Sequence, residues 1–546
     1  MFLVSALLAL ASLLGLVLLL RRYTGSGSVQ NGKFSSRRRT RRLIEAPSPG
    51  SFPLLGSLLH VRHPLYKFLA EKFSRNDVVL LYFGSQRVYC LNSARAIREA
   101  YSAQAEVFAG RPKLLGDSLV GETGGLVFID GPVWRDYRRF TLRTLRDFGF
   151  GKSFTEASIL EEAQLMREEI ESRPGEKFDS SKLISTAVSN VICRFLFGRR
   201  LASEDSKFEL LQNTFAKLTQ EKDNISELFA LFIVLNLCGG RQKLALKLLQ
   251  YVPEAKKVFD NFLYLLAYCK NITAEHRDNF LPNCQPRDYI EAHMLHCSRR
   301  EPENPSTEDS DADADSSSQA NKKPLNSQQP WLFNDTRLCL AMADLFVAGS
   351  DTTTTTIRWA LLLFHQNPHC YQLASEEVGR EIGFDRPPTM KDRLVCHYLQ
   401  ASIDEVHRCA CLVPLGLLHR TLEDTSLLGY DIPKDSLTFV NQYSVNNNAE
   451  VFPQPERFCP ERFLDGEGRY SPSDHVMPFS TGKRACLGES LARMELFLII
   501  AGLLQRYERI EVASETGQDL GAGAELPTTP GDIRAPPPFT LKFHPR

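Results

Sequence analysis

Hydrophobic and polar positions follow several different patterns along the chain. Residues 1–20 carry no charged side chain and are mostly Leu, Val and Ala. As a helix this run would be about 30 Å long, one hydrocarbon thickness. Arg21 and Arg22 follow it, and no basic residue precedes it. That order predicts a retained transmembrane helix; a cleaved leader starts basic and has a shorter apolar stretch. The positive-inside rule then puts the amino end in the lumen and the bulk of the chain in the cytosol. Residues 21–45 read as a basic linker, and Pro47, Pro49 and Pro53 stiffen the chain where the globular part begins. Residues 78–91 (VVLLYFGSQRVYCL) are two β-rich runs around Gly84-Ser85 and predict a hairpin. From about 93 to 300 the periodicity is mainly helical. Residues 301–328, rich in Ser, Asp and Pro, read as a disordered insertion. A long helix is predicted from about Asn334 to His365, with more helix to about Cys411. Short strands and proline-rich loops come next, and a last helix starts near Leu487. No repeat or second linker divides the folded part. The expected fold class is α+β, one mainly α domain with a minor β region over 46–546.

Composition narrows the function. The 546 residues contain 65 basic and 65 acidic side chains, a neutral balance that argues against a nucleic-acid partner. Length alone suggests roughly three or four domains, a soft prior that the motifs below revise to one. The charges are unevenly placed: residues 21–42 hold eight Lys or Arg and no acid, and residues 301–315 hold seven Asp or Glu and no base. The 13 Cys are scattered with no CxxC pair, as expected of thiols in a reducing compartment. His407, Cys409 and Cys411 sit close together but lack a second spaced pair, so buried thiols are the expectation there, not a zinc site. Sequons start at Asn224, Asn271 and Asn334, and a cytosolic domain would leave all three bare.

The segment Phe479-Ser480-Thr481-Gly482-Lys483-Arg484-Ala485-Cys486-Leu487-Gly488 concentrates the chemistry. A Cys just before a helix meets free N–H groups and the positive end of the dipole, which favour thiolate, the metal-binding form. Gly482 and Gly488 let backbone approach a bulky planar group. Arg484 supplies a fixed cation for a carboxylate. A lone Cys in a glycine loop would still most simply be structural.

This segment resembles the haem-binding signature of the cytochrome P-450 family, F-x-x-G-x-R-x-C-x-G, at every fixed position. Three further motifs agree in order. Glu405-Val406-His407-Arg408 matches E-x-x-R, whose spacing puts both charges on one helix face. Pro460-Glu461-Arg462-Phe463 matches the element that supplies the second arginine of a Glu405–Arg408–Arg462 structural lock; a near copy, Pro455-Glu456-Arg457-Phe458, lies at a less usual distance from Cys486. Ala348-Gly349-Ser350-Asp351-Thr352-Thr353 matches the oxygen-activation motif. Phe108-Ala109-Gly110-Arg111-Pro112, Trp134 with Arg138, and Pro286-Arg287-Asp288-Tyr289 are similar to the microsomal family-2 branch. The insertion and the long basic linker depart from that branch, and neither touches the catalytic motifs.

The resemblance implies a haem-thiolate monooxygenase that inserts one oxygen atom of O2 into a lipophilic substrate such as a fatty acid, steroid or xenobiotic. Cys486 would be the axial metal ligand of haem b. Trp134 and Arg138 would meet one propionate, Arg484 with His419 the other; Phe479 would pack beside the thiolate, with Gly488 beyond it. Asp351 and Thr352 would deliver protons, and Gly349 would leave room for dioxygen. Leu119, Phe346, Val347, Val413, Leu415, Leu417 and the apolar run 225–240 are the pocket candidates. Electrons would come from NADPH through a partner flavoprotein reductase, sometimes with cytochrome b5, at the endoplasmic reticulum membrane. Arg135, Arg139 and Lys483 are candidates for docking acidic partners. Rival readings are a haem-thiolate isomerase or dehydratase and a non-enzymatic haem carrier or sensor. The Asp351-Thr352 pair speaks against both, since neither needs a proton relay.

Overall fold

The computed structural model describes residues 43–52, 55–62, 64–112, 125–149, 153–201, 253–282, 284–299, 333–517, 519–521 and 533–546. The expected anchor, the linker as far as residue 42, Leu119, Asn224, the run 225–240 and the insertion 301–328 lie outside these residues. Among the described residues no helix is long and apolar enough to cross a membrane.

The chain starts with α1 (Leu65–Lys72) and the hairpin β1 (Val78–Phe83) and β2 (Gln86–Leu91). Gly84, at φ 60°, supplies the left-handed residue of the two-residue turn. Next come α2 (Ala94–Arg98), which runs into a π-helical turn (Glu99–Ala103), then α3 (Gly131–Asp147) and α4 (Ser153–Ser172). The short β3 (Phe178–Asp179) leads to α5 (Ser180–Phe197), and α6 (Pro253–Asp278) and α7 (Tyr289–Ser298) follow. The predicted long helix is α8 (Asp335–Gln366), followed by α9 (Pro368–Glu381) and α10 (His397–Ala410). The proline-rich stretch holds β4 (His419–Arg420), β5 (Thr425–Leu427), β6 (Tyr430–Ile432), β7 (Leu437–Val440) and α11 (Gln442–Asn446). After the cysteine loop come α12 (Glu489–Arg506), β8 (Tyr507–Ser514) and β9 (Phe539–Pro545).

Helix α8 is the axis of the molecule. Its N-cap is Asn334, whose side chain accepts the Arg337 N–H at 2.9 Å. It stops where Asn367 precedes Pro368, a position biased away from helix. Residues Thr352–Thr356 are poor helix formers, yet four of the five are buried and three bond back to the preceding turn. Packing overrides propensity here. The main core joins α8 to α4, α5, α7, α9, α10 and α12, through residues such as Ile192, Trp359, Leu399 and Leu498.

The four-stranded sheet has the order β1-β2-β7-β4. β2 and β7 are parallel, with Val88 opposite Leu437 and Leu91 opposite Val440, and β4 is antiparallel to β7. This pairing puts His419 and Arg420, at one edge of the sheet, beside Gly110 from the chain after the π turn. A second sheet, β3-β9-β8, closes the far end of α5 and α8.

Candidate active site

Helix α3 carries Trp134 and Arg138 four residues apart, so both project from one face. The tertiary structure brings them to the cysteine loop. The Arg484 guanidinium lies 3.6 Å from the centre of the Trp134 ring, and that of Arg138 lies 5.8 Å away. Arg138 Nη2 donates to the Ala485 carbonyl at 2.5 Å. Arg484 donates to the carbonyls of Ala109 (2.9 Å) and Ile129 (2.6 Å). Arg111 donates to those of Val127 (3.0 Å) and Leu418 (2.7 Å).

The buried guanidiniums of Arg111 and Arg484 and the half-buried one of Arg138 are thus gathered together, held mainly by neutral carbonyls. Burial, with Arg111 and Arg138 adding repulsion against the pull of Asp130, pushes Arg484 down to about 8. Burial also brings Arg111 to about 10, against the opposing pull of Tyr101 and helped by Arg138. Trp134 Nε1 is buried without a hydrogen-bond partner. Such a cradle suits an anionic group, and a pair of carboxylates would satisfy it.

His419 completes this side. Its Nδ1 lies 2.9 Å from the Phe108 carbonyl, and its ring stacks on Tyr101 with centroids 4.0 Å apart and planes 9° apart. Burial, aided by Arg111 and Arg484, holds the ring well below its usual pKa. The motif Phe108-Ala109-Gly110-Arg111 is therefore the frame of the site: Phe108 and Ala109 supply acceptors, and Gly110 lets Arg420 backbone approach where a Cβ would collide. The sequence reading took this motif as a family marker and missed Arg111 as a member of the site. An Arg beside a Pro in a motif kept with the signature was the available signal.

Cys486 sits just before α12, with its N–H on the Phe479 carbonyl at 2.9 Å; the residue is accessible to solvent although neighbouring groups crowd its sulfur. In the chain alone burial pushes the thiol up; the N–H groups of Gly488 and Glu489 and the charge of Arg138 pull the other way without overcoming it, and Glu489 adds to the rise. The N–H groups at the start of α12 thus act in the expected direction, toward thiolate, against burial. Binding a metal releases that proton. The two loop glycines do different things. A Cβ on Gly482, at φ 76°, would overlap the Tyr101 carbonyl, so this glycine seats the loop on the π turn. A Cβ on Gly488 would meet only Cys486 Sγ, at 4.0 Å. Phe479 lies between His407, edge-on at 5.4 Å, and the Arg493 guanidinium at 4.9 Å. His407 is buried and brought down to about 3 by desolvation and then by Arg493.

Behind the loop, Arg408 pairs with Glu405 through two bonds of 2.6 and 2.7 Å, and neither residue is exposed. Arg408 also donates to the carbonyls of Asn446, Pro455 and Arg457 at 2.8–3.0 Å. Arg462 Nε is 3.5 Å from Glu405 Oε1, whereas the Arg457 side chain bonds Gln454. Cys409 is half-buried beside Glu405, and no metal-ligand cluster occurs among the described residues.

On α8, Thr352 Oγ1 donates to the Ala348 carbonyl at 2.6 Å. In this turn Ala348 is exposed and Gly349 and Thr352 are half-buried, whereas Ser350, Asp351 and Thr353 are buried. Gly349 does not open space beside them: a Cβ there would press on Ile192 of α5 at 3.3 Å, so this glycine serves the contact between helices. Glu495 of α12 is buried beside Thr353, and desolvation holds its carboxyl well above the usual range. The pocket candidates separate. Val413 is half-buried and Leu417 exposed, whereas Leu415, in a turn closed by the Gly416 N–H on the Val413 carbonyl at 3.1 Å, packs in the core with Leu65, Leu69 and Phe439. Phe346 is core as well, and Val347 is half-buried.

This geometry fits a planar iron-bearing dicarboxylate: a sulfur ligand at the start of α12, cations and an indole N–H at one edge, and a hydroxyl turn on α8. The family model for "Cytochrome P450" matches residues 46–521. The chain is 32% identical to cytochrome P450 2B2 of Rattus norvegicus over 549 residues, 99% of each chain. It is 33% identical to cytochrome P450 2C29 of Mus musculus, covering 91% of this chain and 94% of that one. With cytochrome P450 2E1 of Oryctolagus cuniculus the identity is 32%, over 92% and 93% of the two chains. The protein belongs to the cytochrome P450 family. It is a haem-dependent monooxygenase that uses O2 and a lipophilic substrate and takes electrons from NADPH through a reductase.

Proposed function

We propose that Cys486 is the axial ligand of haem b and that Arg111, Trp134, Arg138, His419 and Arg484 hold its two propionates. The observation that carries this is the convergence of two buried guanidiniums, the half-buried one of Arg138 and an unpartnered indole N–H beside the cysteine at the start of α12. Bound haem supplies the oxygen-activating redox chemistry. The protein's part is to fix the cofactor and deliver protons. Phe479 shields the sulfur, Gly488 keeps the loop narrow beside it, and the Glu405–Arg408 pair with Arg462 fixes the loop from behind. Thr352 offers a hydroxyl to the oxygen side by giving up its bond to Ala348, and buried Asp351 relays protons toward it. A reduced-minus-CO difference spectrum tests the sulfur ligand, and Cys486→Ser should abolish its thiolate band. NADPH-dependent oxygen uptake with reductase separates the monooxygenase from an isomerase or a carrier.

The reductase would dock over α3. A surface pocket of about 390 Å³ is lined there by Arg135, Arg138, Arg139, Arg143, Arg146 and Lys483, with Trp134 and Leu142. Arg135 pairs with Glu106 at 3.5 Å, Lys483 also pairs with Glu106, and Arg139 pairs with Asp136 at 3.6 Å. An acidic partner, the reductase or cytochrome b5, would compete with Glu106 and Asp136 for these cations. Residues 1–20 would anchor the protein in the endoplasmic reticulum membrane, the linker to 45 would lie at its cytosolic face, and 46–546 would form one catalytic domain. Val413 and Leu417, with Val347 and Leu119, remain the pocket residues of this reading. Spectral shifts on titrating fatty acids and steroids would test the substrate class.

A further inference from the structure

Tyr101 is the third residue of the π-helical turn and belongs to no motif singled out in the sequence. It is buried, and it touches both halves of the cofactor site. Its ring stacks on His419, its carbonyl packs against Gly482 of the cysteine loop, and its hydroxyl lies 3.2 Å from Thr438 Oγ1 of β7. Ser102, the next residue, bonds Thr481 of the same loop at 2.6 Å. π-helical turns are rare and are found most often at functional sites.

The stacking geometry carries chemical information. Two neutral aromatic rings avoid a close parallel sandwich and prefer offset or edge-on arrangements. A cationic ring is attracted by the tyrosine face. A parallel stack at 4.0 Å accepts His419 in either charge state, and the tyrosine face adds attraction once the ring is charged. Hydrogen bonding decides the charge. The Phe108 carbonyl can only accept, so Nδ1 carries a proton when it bonds there. For Nε2 to donate to a carboxylate as well, the ring must hold both protons and be charged. Burial and the charges of Arg111 and Arg484 oppose this in the chain alone. Two carboxylates would cancel that repulsion, and the Tyr101 face would favour the cation.

We propose that Tyr101 is a positioning residue that holds His419 as a flat, doubly donating imidazolium against a haem propionate and couples that contact to the cysteine loop. This rests on the propionate role of His419 proposed above. The test is haem transfer from the purified holoenzyme to an excess of apomyoglobin, with resonance Raman of the propionate bending bands as a second readout. Tyr101→Phe keeps the stack and Thr438→Val removes only the hydroxyl's partner, so both should stay within about twofold of wild type. Tyr101→Leu keeps apolar volume but loses the stack; haem loss should quicken about tenfold and the propionate band should shift as in His419→Ala. If His419→Ala speeds haem loss while Tyr101→Leu matches wild type, the role of Tyr101 is overturned. If Tyr101→Phe or Thr438→Val is as damaging as Tyr101→Leu, the hydroxyl matters and not the stack, which also overturns it. Should Tyr101→Leu fail to accumulate as folded protein, Tyr101→Trp decides: it retains a π face, and a Raman propionate band away from the wild-type position would sink the proposal. If His419→Ala itself leaves both readouts unchanged, the propionate assignment has failed, and with it the basis for Tyr101.

Discussion

The two sides of the cofactor site are held in different ways. The side proposed to hold the propionates and the sulfur ligand is assembled from five separate stretches of chain: the π turn, residues 108–111, α3, β4 and the cysteine loop. Their contacts run over more than 300 positions in sequence, as in Arg484 to Ala109 and His419 to Phe108. The oxygen side is one turn of α8, where Thr352, Thr354 and Thr356 satisfy themselves by bonds to the carbonyl four residues back. The first side is over-determined by burial and charge and has no slack. The second has a hydroxyl whose present bond is local and cheap to exchange. A site that must grip a cofactor permanently and move protons in every turnover needs both.

Substitutions should break this contrast in a graded order. Cys486→Ser should have the largest effect, with loss of the thiolate CO band and of turnover together. Glu405→Ala comes next. It strands the fully buried Arg408 charge and should cost about 3–5 kcal/mol in chemical denaturation, with poor haem retention. On the oxygen side Thr352→Ala should do the opposite. Alanine is the better helix former, so stability should change by less than about 1 kcal/mol. Product formed per NADPH should nevertheless fall by about an order of magnitude. Unchanged coupling would remove Thr352 from the proton path and dissolve the contrast.

A pH experiment sharpens the comparison further. Asp344 of α8 accepts the Val127 N–H at 2.9 Å and so ties α8 to the chain that supplies the Val127 and Ile129 carbonyls. Burial raises this carboxyl to about 7, with the backbone N–H bonds of Val127 and Leu126 opposing. A raised acid binds its proton more tightly folded than unfolded. Its contribution to stability is therefore greatest at acid pH and declines as pH rises from about 4 to about 7. Urea titrations across that window should show the decline in wild type and a flatter profile in Asp344→Asn. The smallest effect is expected at the surface. Reversing Arg143 and Arg146, which make no ion pair among the described residues, should slow reduction by reductase severalfold at low salt and much less at high salt.

Much of the architecture was legible because it repeats locally. Two β-rich runs and a Gly-Ser turn predicted the hairpin at 78–91, and the structure has strands at Val78–Phe83 and Gln86–Leu91. Apolar periodicity predicted helix over about 334–365, and α8 runs from Asp335 to Gln366. The family signature singled out Cys486 and Arg484 without any contact information. What it missed has a common cause. Arg111 became a site residue only because the sheet edge brings residues 108–111 onto β4. Leu415 packs in the core while Leu417 is exposed because the turn at 413–416 breaks the run, which the apolar pattern alone does not show.

The sequence by itself determined the class of the protein, its cofactor, and the element that carries each motif, since these reside in short patterns that one stretch of chain can spell out. Only the tertiary structure decided what the glycines are for, that Gly349 serves Ile192 and Gly482 serves Tyr101, and which unremarked residues complete the site. It also decided the electrostatics. An arginine is an ordinary cation in the sequence, and it becomes one that calls for a carboxylate only when burial and neighbouring arginines surround it.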